Sequence, residues 1–311
     1  MLIIGLGIWI VLNRQWLYDY YRGMTYQPSS EMIRIRDDLG LTNRGEFLFN
    51  ASQPELDDAT DFNNYCRDGG ESEVAVLGCY AGGNIYIYNI TDERLNGIRE
   101  LTSAHELLHA NWARMSDNEK TALVESLTRT FEANQEILDS ELNNYNTDEK
   151  QEELYVRAGT EIANLPSVLE QHYAEIFKNQ DKIVGFYDSY ISVFRNLELE
   201  INGLKTEMEE MNARIEAKMA EYERRVKQLD ANVTSFNSCA SVAGCFKTEQ
   251  EFSSRRAELI AEQEALRVMY DEISDLINLY NAKVEIYNAD VMETEKLNTI
   301  INSSAKPRGV E

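Results

Sequence analysis

Prolines, histidines and basic residues are scarce in this chain of 311 residues. Thirty Lys and Arg stand against 54 Asp and Glu, which gives a formal net charge of −24. A phosphate backbone requires a concentrated basic face, so this balance argues against a nucleic-acid-binding protein. With only four prolines and with long polar stretches, the chain favours helix. At 43% hydrophobic it is too apolar to be disordered throughout.

The chain also has little uncharged apolar sequence. The run of residues 2–12 is eleven residues long, whereas a membrane-spanning helix needs about 20. The run approaches that length only if it extends through residues 16–18, whose Trp and Tyr are typical of the headgroup zone. We interpret residues 1–23 as an N-terminal membrane anchor with its juxtamembrane segment. A buried hydrophobic segment is the alternative.

Four cysteines fall into two local pairs, Cys66 with Cys79 and Cys239 with Cys245. Neither pair has the C-x₂-C spacing of a zinc knuckle, and two disulfides are the simplest arrangement. Disulfides require an oxidising compartment, so we expect a membrane-anchored, extracytoplasmic protein at the cell surface. Two arginines after the apolar run favour the opposite orientation, and four free thiols in a cytosolic protein are the alternative.

The first half of the chain mixes helix and strand signals. We expect a short helix over residues 30–39 and a strand near residues 46–50. Residues 73–78 and 84–89 are β-branched and aromatic and flank a Gly-rich turn, which predicts a β-hairpin. Helix starts are indicated where Ser is followed three residues later by Glu, a capping-box pattern that occurs at Ser103, Ser116 and Ser167.

The second half of the chain has a heptad pattern. Apolar residues recur at spacings of three and four over residues 197–233 and again over 266–291, with charges between them. The pattern predicts an antiparallel coiled-coil hairpin over residues 185–303, with a disulfide-pinned tip near 236–246. Residues 304–311 form a C-terminal tail. Because an apolar seam can also be covered by another chain, self-association or a protein partner is an alternative.

His105, Glu106 and His109 form an H-E-x-x-H sequence in a predicted helix. Residues four apart lie on one helical face, so both imidazoles can reach one metal ion. Glu106 projects beside them and is the candidate general base, which takes a proton from water. Zn²⁺ is the metal most compatible with two imidazoles, one carboxylate and an open position. Two surface histidines without a metal are the alternative.

A catalytic zinc site requires a third protein ligand. Met115 stands where the metzincin pattern has its third histidine, so that class is excluded. The H-E-x-x-H sequence followed by Glu152-Glu153-Leu-Tyr-Val resembles the gluzincin group of zinc metallopeptidases, in which a Glu on a second helix completes the site. The resemblance implies Glu153 as the ligand. In this sequence Glu152 replaces the Asn of that frame, and Arg157 replaces an orienting Asp.

Two other residues are candidates for the third ligand. Glu161 lies two turns beyond Glu153 on the same helical face, either as the ligand itself or as an acceptor for a His N–H. The remaining histidine, His172, completes a His₃ site in a less favoured alternative.

The resemblance also implies an architecture. We expect an α+β, mostly helical fold in which a small zincin-like metallopeptidase domain over residues 24–184, with its β-hairpin, precedes the coiled-coil hairpin. Gluzincin-like enzymes offer an edge strand to an extended substrate, and the hairpin is the candidate. Tyr80, Tyr155 and Arg157 are the candidate groups for stabilising the oxyanion. The hairpin, the metal motif and the G-T-E sequence are also similar to those of uncharacterised bacterial membrane-anchored proteins.

The leading hypothesis is a membrane-anchored, extracytoplasmic zinc metallopeptidase that acts on a peptide or protein substrate. One alternative is a surface structural or adhesion protein whose zinc site is not catalytic and whose coiled-coil hairpin binds the partner. Another is a zinc hydrolase acting on a cell-wall amide, although the acidic surface would repel anionic wall polymers.

Overall fold

A computed structural model describes Trp9 and residues 13–66, 77–142 and 147–302. Apart from Trp9, the apolar run of residues 2–12 lies outside the described residues, as do positions 73–76 of the predicted hairpin and the predicted tail. Among the helices that are described, none combines the length and the apolar character needed to cross a membrane.

The described part of the chain is mostly helical and contains one small three-stranded sheet, which confirms the expected α+β class. A 3₁₀ turn at Glu93–Leu95 precedes the helix that begins at Ile98. In chain order, the elements are α1 (Arg14–Thr25), α2 (Ser30–Leu39), α3 (Asn43–Ala51), β1 (Glu55–Asp57), α4 (Ala59–Tyr65), β2 (Gly78–Ala81), β3 (Asn84–Tyr88), α5 (Ile98–Trp112), α6 (Asp117–Ala133), α7 (Gln135–Leu142), α8 (Thr147–Glu161), α9 (Ser167–Tyr173), α10 (Gln180–Ala240) and α11 (Glu249–Ile301).

The chain divides into two compact units, residues 1–195 together with 296–311, and residues 196–295. In the second unit, α10 and α11 run antiparallel. Two ion pairs show this direction, because the α10 residue nearer to the interhelical connection pairs with the α11 residue nearer to it. Lys218 Nζ lies 2.5 Å from a Glu272 carboxylate oxygen, and Arg225 Nε lies 2.8 Å from one of Glu262. Apolar seam residues of the two helices are buried, among them Met211, Ile215, Leu266 and Ile273.

Both predicted disulfides are confirmed, Cys66–Cys79 and Cys239–Cys245. The first joins the end of α4 to strand β2 in the unit of residues 1–195. The second closes the connection between α10 and α11. Each bridge links residues close in sequence, which is why local pairing could be predicted before any tertiary structure was known.

The sheet has the strand order β1-β3-β2, with β1 parallel and β2 antiparallel to β3. The Tyr88 N–H bonds the Leu77 carbonyl at 2.8 Å, so the alternate residues Gly78 and Tyr80 turn their backbone polar groups away from β3. Helix α5 contacts both β2 and β3, and the Tyr80 N–H donates a hydrogen bond to Glu106 of that helix. The hairpin therefore presents a strand edge to the helix that carries the H-E-x-x-H sequence.

The predicted strand near residues 46–50 is wrong, because these residues belong to α3. Thr42 caps the helix by accepting a hydrogen bond from the Gly45 N–H at 3.1 Å. The buried positions of α3 are Gly45, Leu48, Phe49 and Ala51. Leu48 and Phe49 follow Gly45 by three and four residues and Ala51 follows Leu48 by three, which are helical spacings.

Only one of the three predicted capping boxes forms. Ser116 and Glu119 make the reciprocal bonds at the start of α6, as predicted. Ser103 lies more than one turn inside α5, which begins after Gly97, and its hydroxyl bonds the Arg99 carbonyl at 2.6 Å. At α9 the cap position is Pro166, and no side-chain cap forms there.

Helix α5 lies at the centre of the first unit, where it contacts β2, β3, α2, α3 and α8. Its apolar residues Ala104, Leu107, Leu108 and Ala110 are fully buried. Helix α8 approaches closely at Gly159, where an added Cβ would lie 2.5 Å from Leu108 Cδ1. This contact brings the side chains of α8 within reach of the histidines on α5.

Candidate metal centre

Three side chains from two helices converge beside the core. His105 and His109 project from one face of α5, and Glu153 projects towards them from α8. The Nε2 atom of His105 is 3.8 Å from Glu153 Oε1, and the Nε2 atom of His109 is 3.5 Å from Glu153 Oε2. Each residue offers one ligand atom within 4.8 Å of the other two, so the group could hold a metal ion.

Burial of these side chains is partial, with 26% of His105, 19% of His109 and 13% of Glu153 exposed. Because the three side chains are mostly buried, neighbouring residues restrict their ligand atoms, and because they are partly exposed, solvent can reach the site. Two imidazole nitrogens and one carboxylate form the donor set that binds zinc in His₂Glu sites. The residues present therefore fit a divalent cation.

Glu152 adds a contact that the sequence did not reveal. Its Oε1 lies 2.8 Å from Nδ1 of His109, which leaves the Nε2 of that ring directed at Glu153. A carboxylate on the second ring nitrogen orients a histidine ligand and raises its basicity. In the sequence this residue was only a departure from the gluzincin frame. The signal that could have identified it was a second carboxylate beside the proposed ligand on the same helix.

The electrostatics of the group favour a nearby positive charge. Burial lowers the pKa of His105 to about 4, with the charge of His109 acting in the same direction. Burial also opposes the charged form of His109, but its hydrogen bonds to Glu152 and Glu153 raise the pKa of that imidazole to about 10. Burial would raise the pKa of Glu153, but the two histidines lower it to about 2. Glu153 is therefore ionised, as a metal ligand must be.

Glu106 lies against the edge of β2 that pairs with no strand among the described residues. Burial raises the pKa of this carboxyl to about 7, and its strongest opposing influence is the charge of His109. The backbone N–H of Tyr80 donates a hydrogen bond to it. At Gly78 an added Cβ would lie 2.7 Å from Glu106 Cγ and 2.8 Å from Oε1, so only glycine allows the strand this close. A carboxylate whose pKa is near neutrality suits a general base.

The other two candidate ligands lie elsewhere. Glu161, two helical turns beyond Glu153, accepts hydrogen bonds from Arg157 Nε at 3.0 Å and from Nη2 at 2.9 Å. His172 places its Nε2 3.0 Å from the hydroxyl of Tyr155. Within the part of the chain that the structure describes, neither residue belongs to the group formed with the two α5 histidines.

The candidate oxyanion groups are also engaged elsewhere. The Tyr155 hydroxyl is buried and accepts a hydrogen bond from Asn111 Nδ2 at 2.8 Å. Arg157 binds Glu161, and the Tyr80 hydroxyl accepts a hydrogen bond from Arg114 Nη1 at 2.9 Å. These contacts hold the three side chains in structural networks around the site.

Comparison with known proteins identifies no relative. No family model matches the chain, and no curated protein or solved structure matches it. What the chain does is therefore inferred from its own residues and their geometry.

Proposed function

We propose that this protein is a membrane-anchored, extracytoplasmic zinc-dependent metallopeptidase. The observation that carries the proposal is the convergence of His105, His109 and Glu153 with Glu106 adjacent to them. Catalytic zinc sites use three protein ligands, whereas structural sites use four. Within the described residues the group has three members, which supports the catalytic reading over the structural or adhesive alternative.

Each residue has a distinct task in the proposed hydrolysis. A zinc ion bound by the three ligands supplies Lewis acidity towards a carbonyl oxygen and lowers the pKa of a water molecule. Glu106 accepts the proton of the attacking water and returns it to the leaving amine, and its pKa of about 7 allows both transfers near neutral pH. Glu152 holds the ring of His109 in the orientation that directs Nε2 towards the metal.

The edge of β2 suits an extended peptide. The backbone polar groups of Gly78 point away from β3, and the hairpin is tied to α4 by the Cys66–Cys79 disulfide. A peptide added to such an edge forms main-chain hydrogen bonds irrespective of its sequence. This favours a peptide substrate over a cell-wall amide. The two disulfides support an oxidising compartment.

Metal content and peptide hydrolysis of the full chain test the proposal. We expect about one zinc per chain in the wild type. Glu106→Gln should keep this zinc and lose activity by about 10²–10⁴-fold, because it removes the proton acceptor but none of the three ligands. Glu125→Gln, a change at an exposed glutamate of α6, is the matched control and should leave hydrolysis unchanged. Cleavage is followed by mass spectrometry of a peptide library.

Three results would contradict the proposal. Undiminished hydrolysis by Glu106→Gln would remove the proposed general base. A wild type that binds zinc but cleaves no member of the library would favour the non-catalytic site of a structural protein. Failure to bind zinc in a folded, disulfide-intact chain would remove the metal centre itself.

A further inference from the structure

Helix α1 turns the side chains of Asp19 and Arg22 towards the protein. The Arg22 Nε donates to the Ala51 carbonyl at 2.7 Å, and its Nη2 donates to the Gly83 carbonyl at 3.1 Å. The Asp19 carboxylate is 4% exposed and accepts hydrogen bonds from Arg114 at 3.0 and 2.9 Å. These contacts attach α1 to α3, to the hairpin turn and to the end of α5. It is therefore an integral part of its unit.

The opposite face of α1 is aromatic and exposed. Trp16 and Tyr20 stack with their ring centroids 5.3 Å apart. Exposed fractions across this face range from 48% to 70%, for Trp16, Tyr20, Tyr21 and Met24. In a surface helix of a globular protein the apolar stripe normally turns to the core and the charges face water. Helix α1 has the reverse arrangement.

The charge on this face differs from that of the whole chain. Acidic residues outnumber basic ones by 24 in the sequence. In α1, all of whose residues the structure describes, the one acidic residue is Asp19, and it is buried against Arg114. The exposed side of α1 therefore carries no carboxylate, and Arg14 is exposed at its start. Such a surface avoids repulsion by lipid phosphates.

We propose that the aromatic face of α1, formed by Trp16, Tyr20, Tyr21 and Met24, lies in the headgroup region of a lipid bilayer. Trp and Tyr favour this zone because their rings combine an apolar body with a polar tip. The uncharged apolar run of residues 2–12 directly precedes the helix, so the face continues a segment suited to the membrane. The inner face of α1 then fixes its unit against the membrane surface.

This inference rests on the proposed membrane location and is independent of the proposed peptidase activity. We assign lipid as the occupant of the aromatic face for three reasons. The face is aromatic, α1 exposes no carboxylate, and the apolar run of residues 2–12 adjoins the helix. A second copy of the chain on the same face is the competing occupant, and the experiment separates the two.

The tryptophan content of the chain allows a direct test. The sequence contains three tryptophans, Trp9, Trp16 and Trp112, and Trp112 is 5% exposed in the core. Trp9→Phe therefore leaves Trp16 as the exposed reporter, and the Trp9→Phe/Trp16→Phe double variant measures the background from Trp112. The full chain is reconstituted in phosphatidylcholine vesicles whose acyl chains are brominated either near the headgroup or near the terminal methyl.

We expect the Trp16 emission to shift to shorter wavelength and to be lost preferentially with lipids brominated near the headgroup. A matched control adds Tyr270→Trp to the double variant, at a position of the other unit that is 60% exposed. This reporter should keep its emission with both lipids and should be quenched by aqueous acrylamide.

Four results would overturn the inference. In the first, acrylamide quenches Trp16 as strongly as the control, and neither brominated lipid quenches it. In the second, lipids brominated near the terminal methyl quench Trp16 most strongly, as expected for a spanning helix. Its spectral shift could depend on protein concentration and not on lipid, which would assign the face to a second copy. A chain that does not float with the vesicles would also exclude the lipid contact.

Discussion

Glu152 and Glu153 are neighbours on α8 with different contacts at the candidate metal centre. Glu153 offers a ligand atom to the group, whereas Glu152 bonds Nδ1 of His109. The resemblance of the motif to gluzincins predicted Glu153 as the ligand, with Glu161 as an alternative. The contact of Glu152 could not be predicted, because it depends on the distance and rotation between two helices that are 43 residues apart at this pair.

Replacing Glu152 should weaken metal binding without abolishing it. Glu152→Ala removes the carboxylate that orients His109, and we expect zinc affinity to fall by about 10–100-fold. Glu153→Ala should have a larger effect, since it removes a ligand. Calorimetric competition of the full chain with a chelator measures both affinities. The control is Glu149→Ala, at an exposed position of the same helix. Wild-type affinity in Glu152→Ala would contradict this role.

Asp57 is the residue for which we expect the clearest pH effect on stability. Its Oδ2 is buried with no hydrogen-bond partner among the described residues. Burial, followed by the charges of Glu55, Asp61 and Asp58, raises the pKa of Asp57 from 3.8 to about 6. Because the folded-state pKa lies above the unfolded one, its favourable contribution is complete below pH about 4 and is lost as the pH rises through about 6.

Asp57→Asn should therefore stabilise the protein relative to the wild type above pH about 6 and have little effect near pH 4. The thermal unfolding midpoints of the two proteins, compared at each pH, measure the difference. Asp188→Asn, an exposed aspartate in the same unit, should show no such pH-dependent gain. Equal midpoints for Asp57→Asn and the wild type at pH 7 would show that the buried carboxyl is accommodated without cost.

Among the elements, α8 and α5 must approach closely for the metal centre to form. Gly159 sets this distance, since an added Cβ would lie 2.5 Å from Leu108 Cδ1 and 2.7 Å from Tyr173 Cε1. Gly185 in α10 has no atom within 4 Å of such a Cβ. The two positions therefore compare the same substitution in a packed and in an open helical environment.

Gly159→Ala should destabilise the unit of residues 1–195 by about 1–3 kcal/mol through overpacking. It should also weaken zinc binding, because α8 carries Glu153 and has to move. Gly185→Ala should instead stabilise by about 0.5–1 kcal/mol, since alanine is the better helix former. Urea unfolding and zinc titration measure the two effects. A stabilised Gly159→Ala with unchanged zinc affinity would exclude the close approach.

The errors in predicting elements share one physical cause. Ser103 begins a capping-box pattern, but α5 starts at Ile98, where the chain leaves Gly97 in a left-handed conformation. Residues 46–50 suggested a strand, but the Thr42 cap and the core contacts of α3 favour helix. In both segments the pattern used for the prediction spans only a few residues, which is too short to fix the type or the start of an element. The type of the elements was easier to predict in the long heptad region, because its apolar period repeats many times.

On the scale of the whole molecule, the candidate metal centre belongs to one of two compact units. His105, His109 and Glu153 all lie within residues 1–195. A ligand that binds only the folded state stabilises the region that contains its site. We therefore expect zinc to slow amide hydrogen exchange in α5 and α8 and to leave residues 210–280 unchanged.

Hydrogen exchange with mass-spectrometric detection, with and without one equivalent of zinc, measures this difference. The Glu153→Ala chain is the control, and zinc should change its exchange little. Protection that extends through residues 210–280 would instead indicate energetic coupling between the two units. Such coupling would assign the helical hairpin a part in metal binding.

The sequence by itself determined the features that depend on short-range periodicity and chemistry. These are the two α5 histidines on one helical face, the long helical region and the two local disulfides. The tertiary structure decided which carboxylate joins the histidines, which one orients them and which face of α1 is exposed. Each of these depends on the distances between elements far apart in sequence, and such distances are set by core packing and buried ion pairs rather than by local pattern.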